Sequence, residues 1–203
     1  MIKEKFGHKL DGWVQTVLPF LFKGSIDPNL LTVVGAMLCL VAAAAFGAGQ
    51  FLAGGLLLAL GGLCDLVDGV VARYHGIETR FGAFLDSTLD RLADMAIMLG
   101  LVIHFALAGD QITALVAATG LIASVLTSYT RARAEALNIA MPGGVVERGE
   151  RIGLLIVGGI LGLMVPALWI LAVGSTATVV QRFEGARQAL ETPPDTSVLR
   201  ERD

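Results

Sequence analysis

Apolar stretches close to twenty residues long recur along this 203-residue chain, and as helices each covers the roughly 30 Å hydrocarbon thickness of a bilayer. With 55% hydrophobic and only 16% charged residues, the chain is too apolar for an ordinary water-soluble domain. Six spans are expected: Leu30 to Gly49, Phe51 to Tyr74, Gly82 to Ala108, Ile112 to about Ala136, and two between Arg151 and Arg187. The last two are divided near Pro166, where a lost donor and a ring clash favour a break. Residues 27–187 therefore read as an all-α, polytopic transmembrane domain. Before it, Phe6, Leu10, Trp13, Val17 and Leu21 fall at helical spacing with Lys5, Lys9, Asp11 and Gln15 between them, which suits an interfacial amphipathic helix over residues 1–26. After it, residues 188–203 turn polar around Pro193 and Pro194 and are expected to be a disordered cytoplasmic tail. The first long apolar run begins too late, and lacks the small-residue cleavage pattern, for a cleavable signal peptide.

The net charge of -3 says little as a sum, but the fifteen basic residues set an orientation. Lys3, Lys5, Lys9 and Lys23 precede the first span. Arg73, Arg80 and Arg91 flank the second connection, Arg131, Arg133, Arg148 and Arg151 the fourth, and Arg182, Arg187, Arg200 and Arg202 lie at the end. The loops around Gly49 and from Gly109 to Gln111 carry none. Both termini are thus expected on the cytoplasmic side of the cell membrane, and no nucleic-acid partner is expected. Cys39 and Cys64 fall inside spans and read as packing residues. Gly54, Gly55, Gly61, Gly62, Gly158 and Gly162 would let helix backbones approach closely.

Charged side chains inside a membrane are costly and usually functional, yet the second and third spans contain Asp65, Asp68, Asp86, Asp90 and Asp94. Asp65 and Asp68 are three residues apart and Asp86 and Asp90 four apart, so each pair projects from one helix face. A short connection puts both pairs at similar depth, and four carboxylates so close repel unless cations are present. An oxygen-only donor set favours magnesium, manganese or calcium over zinc. Gly69, Ala72, Gly82 and Ala83 leave room for a bulky phosphate, and Arg73 can grip an anionic oxygen bidentately. The stretch reads as a metal and diphosphate site.

Asp65, Asp68, Gly69, Ala72, Arg73, Gly82, Asp86 and Asp90 resemble, without gap or substitution, the signature of the CDP-alcohol phosphotransferase family. The resemblance covers the chain from about Asp27 to Arg187 and implies six transmembrane helices around a cytoplasm-facing cavity, and a homodimer. It implies that Asp65, Asp68, Asp86 and Asp90 ligate two magnesium ions, with manganese as a substitute, and that Asp90 is also the general base. It makes Gly69, Ala72, Arg73 and Thr79 receivers of the CDP group of CDP-diacylglycerol, joined by the segment with Pro28, Asn29 and Thr32, where a helix start suits phosphate. Asp94 lies outside the signature and is expected to pair with an arginine.

Acceptor choice must come from elsewhere, and Arg131, Arg133, Arg148 and Arg151 offer a basic pocket for a phosphorylated alcohol. The runs from Ser128 to Glu135 and from Gly143 to Arg151 resemble the inositol-phosphate-using branch of the family, with Arg131 where its members often carry lysine. Inositol phosphate is therefore the favoured acceptor, and glycerol 3-phosphate the alternative. A divalent-cation transporter would also want membrane carboxylates, but not the arginines or the fixed glycine and alanine spacing.

Overall fold

The computed structural model describes residues 27–141 and 143–191, and the expected amphipathic helix and C-terminal tail lie outside the described residues. Six helices follow one another: α1 (Pro28–Gly47), α2 (Phe51–His75), α3 (Arg80–Leu107), α4 (Gln111–Ala136), α5 (Arg148–Ile160) and α6 (Met164–Glu191). Among the described residues there is no strand.

The helix starts follow from capping chemistry. The Asp27 carboxylate accepts the Asn29 N–H at 2.9 Å with Pro28 at the first helical position, and the Thr79 hydroxyl accepts the Gly82 N–H at 2.9 Å. Asp110 caps α4 in the same way, accepting the Thr113 N–H at 3.0 Å. Thr113 hydroxyl and backbone donation also holds the Asp110 carboxyl below the usual carboxylate range.

One expected boundary is corrected. The break between the last two helices falls at residues 161–163 and not at Pro166, which sits inside the first turn of α6. The first N–H of that helix to find a backbone acceptor is that of Ala167, bonded to Leu163 O at 3.1 Å. A proline one residue earlier therefore forfeits no intrahelical bond.

Four helices, α1, α2, α4 and α6, are long and apolar enough to cross a membrane. The other two differ for separate reasons. The stretch of α3 from Arg80 to Asp94 carries Arg80, Asp86, Asp90, Arg91 and Asp94, whereas α5 has 13 residues and at 1.5 Å per residue reaches only about 20 Å.

The principal packing pairs are α1 with α2, α1 with α3, α3 with α4, α4 with α6, α6 with α5, and α5 with α2. They close into a circuit. Its core holds Phe46, Leu58, Ile97, Leu101, Leu168 and Leu171. Outside, Leu30, Val34, Met37 and Val41 on α1, Leu52, Leu56 and Leu60 on α2, and Trp169, Ile170 and Val173 on α6 are all exposed. Apolar stripes of that extent are untenable in water and natural against lipid, so the chain is a membrane protein.

Close approach of α1 and α2 depends on small residues. A Cβ at Gly61 would lie 2.6 Å from Cys39 Sγ and 3.0 Å from Gly35 O, while one at Gly62 would meet only Ile152, at 4.0 Å. Gly61→Ala is therefore expected to cost about 1–3 kcal/mol through overpacking, seen as a midpoint several degrees lower in detergent thermal melts. The matched Gly62→Ala should leave the midpoint unchanged or raise it.

Candidate active site

The aspartates differ in their contacts. One oxygen each from Asp65 on α2 and Asp86 and Asp90 on α3 lie within 4.8 Å of one another, all three residues half-buried. Asp68 stands apart from this group. It is 6% exposed, and its Oδ2 accepts the Thr32 hydroxyl of α1 at 2.5 Å. Because α1 packs on both α2 and α3, it presents Thr32 to one side of the cluster and closes the gap between the carboxylate-bearing helices.

Positive charge enters from α5. Arg148 Nη1 lies 3.2 Å from Asp65 Oδ2, Nη2 2.5 Å from Asp90 Oδ1, and Nε 3.7 Å from Asp94 Oδ1. Arg151, one helical turn on, donates from Nη2 to Asp94 Oδ2 at 3.2 Å. Asp86 Oδ1 remains buried without a hydrogen-bond partner. An oxygen-only donor set with an unpartnered carboxylate oxygen fits a hard divalent cation, and among the described residues no histidine or cysteine joins the group.

Two chambers flank the cluster. The first, about 390 Å3, is lined by Asn29 and Thr32 of α1, Asp68, Gly69, Ala72 and Arg73 of α2, Thr79, and Gly82 and Asp86 of α3. All six residues expected at the nucleotide, Asn29, Thr32, Gly69, Ala72, Arg73 and Thr79, thus line one space. The absence of side chains at two positions shapes it. A Cβ at Gly69 would lie 3.2 Å from an Arg73 guanidinium nitrogen, and one at Gly82 3.0 Å from Thr79 Oγ1 and 3.1 Å from Asn29 Oδ1.

The second chamber, about 360 Å3, lies between α3, α4, α5 and α6 and is lined by Asp86, Asp90, Asp94, Arg131, Arg148, Arg151 and Arg182. The structure brings together three of the four arginines expected there. Arg133 is exposed and is not part of the lining. Arg182 was missed as a site residue because its position near the end of the last span reads as charge anchoring. In fact it is 4% exposed and donates to the Thr127 carbonyl of α4. A third cavity, about 430 Å3, opens between α3 and α4 against Phe84, Met95, Leu121, Val125 and Tyr129, and shares Ser87, Arg91, Asp94 and Ser128 with the basic chamber.

A lipid-facing helical bundle that gathers carboxylates and guanidinium groups beside two polar chambers defines an integral membrane enzyme. The chain belongs to the CDP-alcohol phosphatidyltransferase family, whose sequence model matches residues 26–181, and it is accordingly a phosphatidyltransferase of phospholipid synthesis. It is 42% identical over 179 residues to the phosphatidylinositol phosphate synthase of Corynebacterium glutamicum, an overlap of 84% of this chain and 82% of that one. The crystal structure of the Mycobacterium tuberculosis phosphatidylinositol phosphate synthase with CDP-DAG bound matches with a TM-score of 0.77 at 30% identity, over 90% of this chain and 95% of that one. The same enzyme in complex with manganese and citrate matches with a TM-score of 0.80 at 30% identity, over 88% of this chain and 90% of that one.

Asp86→Asn keeps the volume of the side chain and removes its charge. Manganese binding to the purified protein, followed by electron paramagnetic resonance, is expected to weaken about tenfold or more, and unchanged affinity would remove Asp86 from the cation centre.

Proposed function

We propose that the protein transfers the phosphatidyl group of CDP-diacylglycerol to a hydroxyl of inositol phosphate, giving phosphatidylinositol phosphate and CMP. The observation that carries this reading is the chamber in which Arg131, Arg151 and Arg182 stand beside Asp90, an arrangement suited to a phosphorylated alcohol next to a carboxylate able to accept its proton. Likeness to the Corynebacterium and Mycobacterium enzymes points to the same acceptor.

In this reading the nucleotide occupies the α1–α3 chamber, with Arg73 against the diphosphate and Thr32 holding Asp68. Asp65, Asp68, Asp86 and Asp90 would hold two magnesium ions, which when bound neutralise the diphosphate charge. Arg131, Arg151 and Arg182 hold the acceptor's phosphate and so orient its hydroxyl toward Asp90. Asp90 takes the hydroxyl proton as the acceptor oxygen attacks the phosphorus bearing diacylglycerol. The new P–O bond forms as the bond to the CMP oxygen breaks, and CMP leaves with the electron pair. The apolar cavity between α3 and α4 suits the hydrocarbon of the lipid. The orientation that fits has both termini and both polar chambers facing the cytoplasm, with α3 and α5 completing six crossings in a homodimer.

Purified protein with magnesium and radiolabelled CDP-diacylglycerol, offered inositol phosphate, glycerol 3-phosphate, serine and free inositol in parallel, tests the acceptor. CMP release is expected with inositol phosphate, and preference for glycerol 3-phosphate would reassign the enzyme within its family. Asp90→Asn is expected to abolish transfer while the protein remains folded by thermal melt, and normal turnover would sink its role as base. Loss of a charged hydrogen bond is worth about 1.5–3 kcal/mol, so Arg131→Ala should raise the KM for the acceptor at least tenfold with the donor KM unchanged.

A further inference from the structure

We propose that Arg148 is an internal counter-cation of the carboxylate centre: its guanidinium holds Asp65 and Asp90 together before a divalent ion enters, and shifts onto Asp94 when one does. This rests on reading the three-carboxylate cluster as a cation centre and goes beyond it by giving Arg148 a role other than gripping the acceptor.

The geometry separates Arg148 from the other arginines of the chamber. Each nitrogen of its guanidinium faces a different carboxylate: Asp65 at 3.2 Å, Asp90 at 2.5 Å and Asp94 at 3.7 Å. Two of those three, Asp65 and Asp90, belong to the group whose oxygens lie within 4.8 Å of one another. Carboxylates that close in a half-buried space repel, and one guanidinium spread across them supplies the missing positive charge. Its two Nη groups are engaged by carboxylate oxygens of the cluster, whereas Arg131 pairs, among the described residues, with the exposed Glu135.

A divalent ion ligated by Asp65, Asp86 and Asp90 would sit against the same carboxylates that Arg148 now holds. Two cations sharing those oxygens repel, so entry of the ion weakens the Arg148 contacts. Asp94 is placed to receive the displaced group. It lies outside the cluster, one turn beyond Asp90 on α3, and already meets Arg148 Nε across the longest of the three gaps. That Nε is buried with no hydrogen-bond partner, so a small shift toward Asp94 would gain a bond. Arg151, donating to the other Asp94 oxygen at 3.2 Å, keeps that carboxylate in place.

The test is manganese binding to the purified full-length protein without substrates, by titration calorimetry or electron paramagnetic resonance. Arg148→Gln is expected to bind manganese about tenfold more tightly than the unaltered protein, and Arg148→Lys to stay within about threefold of it. Asp94→Asn, which removes the receiving carboxylate, should bind manganese several-fold more weakly. In turnover at saturating manganese, where Arg148 has already left Asp90, Arg148→Gln should keep the acceptor KM within about twofold of normal. Unchanged or weaker manganese binding by Arg148→Gln overturns the proposal, as does a tenfold rise in acceptor KM with manganese affinity unaltered, which would make Arg148 a phosphate ligand. If Arg148→Gln fails to fold, the Asp94→Asn titration decides, and affinity equal to the unaltered protein refutes the shift. Absence of manganese binding by the unaltered protein would instead refute the cation centre itself.

Discussion

Mutual repulsion among half-buried carboxylates is the constraint around which this bundle is arranged. One oxygen each of Asp65, Asp86 and Asp90 lie within 4.8 Å of one another in half-buried positions, where like charges are screened less than in open water. Arg148 of α5 reaches across to them, Arg151 steadies Asp94, and Thr32 of α1 ties down Asp68. Three helices other than the carboxylate-bearing pair therefore converge on the same problem or its edges, α1 and α5 directly and α6 through Arg182 in the adjoining chamber. The fold is tolerable in energy only because these partners arrive together.

The exterior answers a different solvent. Leucine, valine and isoleucine side chains face outward along α1, α2, α4 and α6, and burying them against lipid supplies no force that draws helices together. Association then depends on contact between small residues and on polar links. The approach of Gly61 to Cys39 and Gly35 is one instance, and the Val146 N–H donated to the Thr178 hydroxyl at 3.0 Å is another.

Much of this was legible in the sequence, and the exceptions have physical causes. The apolar runs located α1, α2 and α4 to within a few residues, because hydropathy reports the lipid-facing stripe directly. Boundaries slipped where capping side chains, Asp27 and Thr79, extend a helix beyond its apolar stretch. Pro166 misled because a proline's cost depends on how far it lies from the helix start. The acidic spacing pointed to Asp65, Asp68, Asp86 and Asp90, but helical periodicity could not tell that Asp68 would also accept the Thr32 hydroxyl. Nor could it tell that Arg148 would be engaged by carboxylates while Arg182 lined the basic chamber. Those outcomes depend on which helices become neighbours, and the order of packing around the circuit is not written in any local pattern.

The two chambers share Asp86 but otherwise draw on different parts of the chain. One is built from α1, α2 and the start of α3, and the other from α3 through α6. On the proposed function, handling of the nucleotide and selection of the alcohol fall to separate halves of the polypeptide, with α3 as the hinge of the division. With that division, changes in the half selecting the alcohol would leave the half handling the nucleotide untouched, and one scaffold could give rise to a repertoire of head groups.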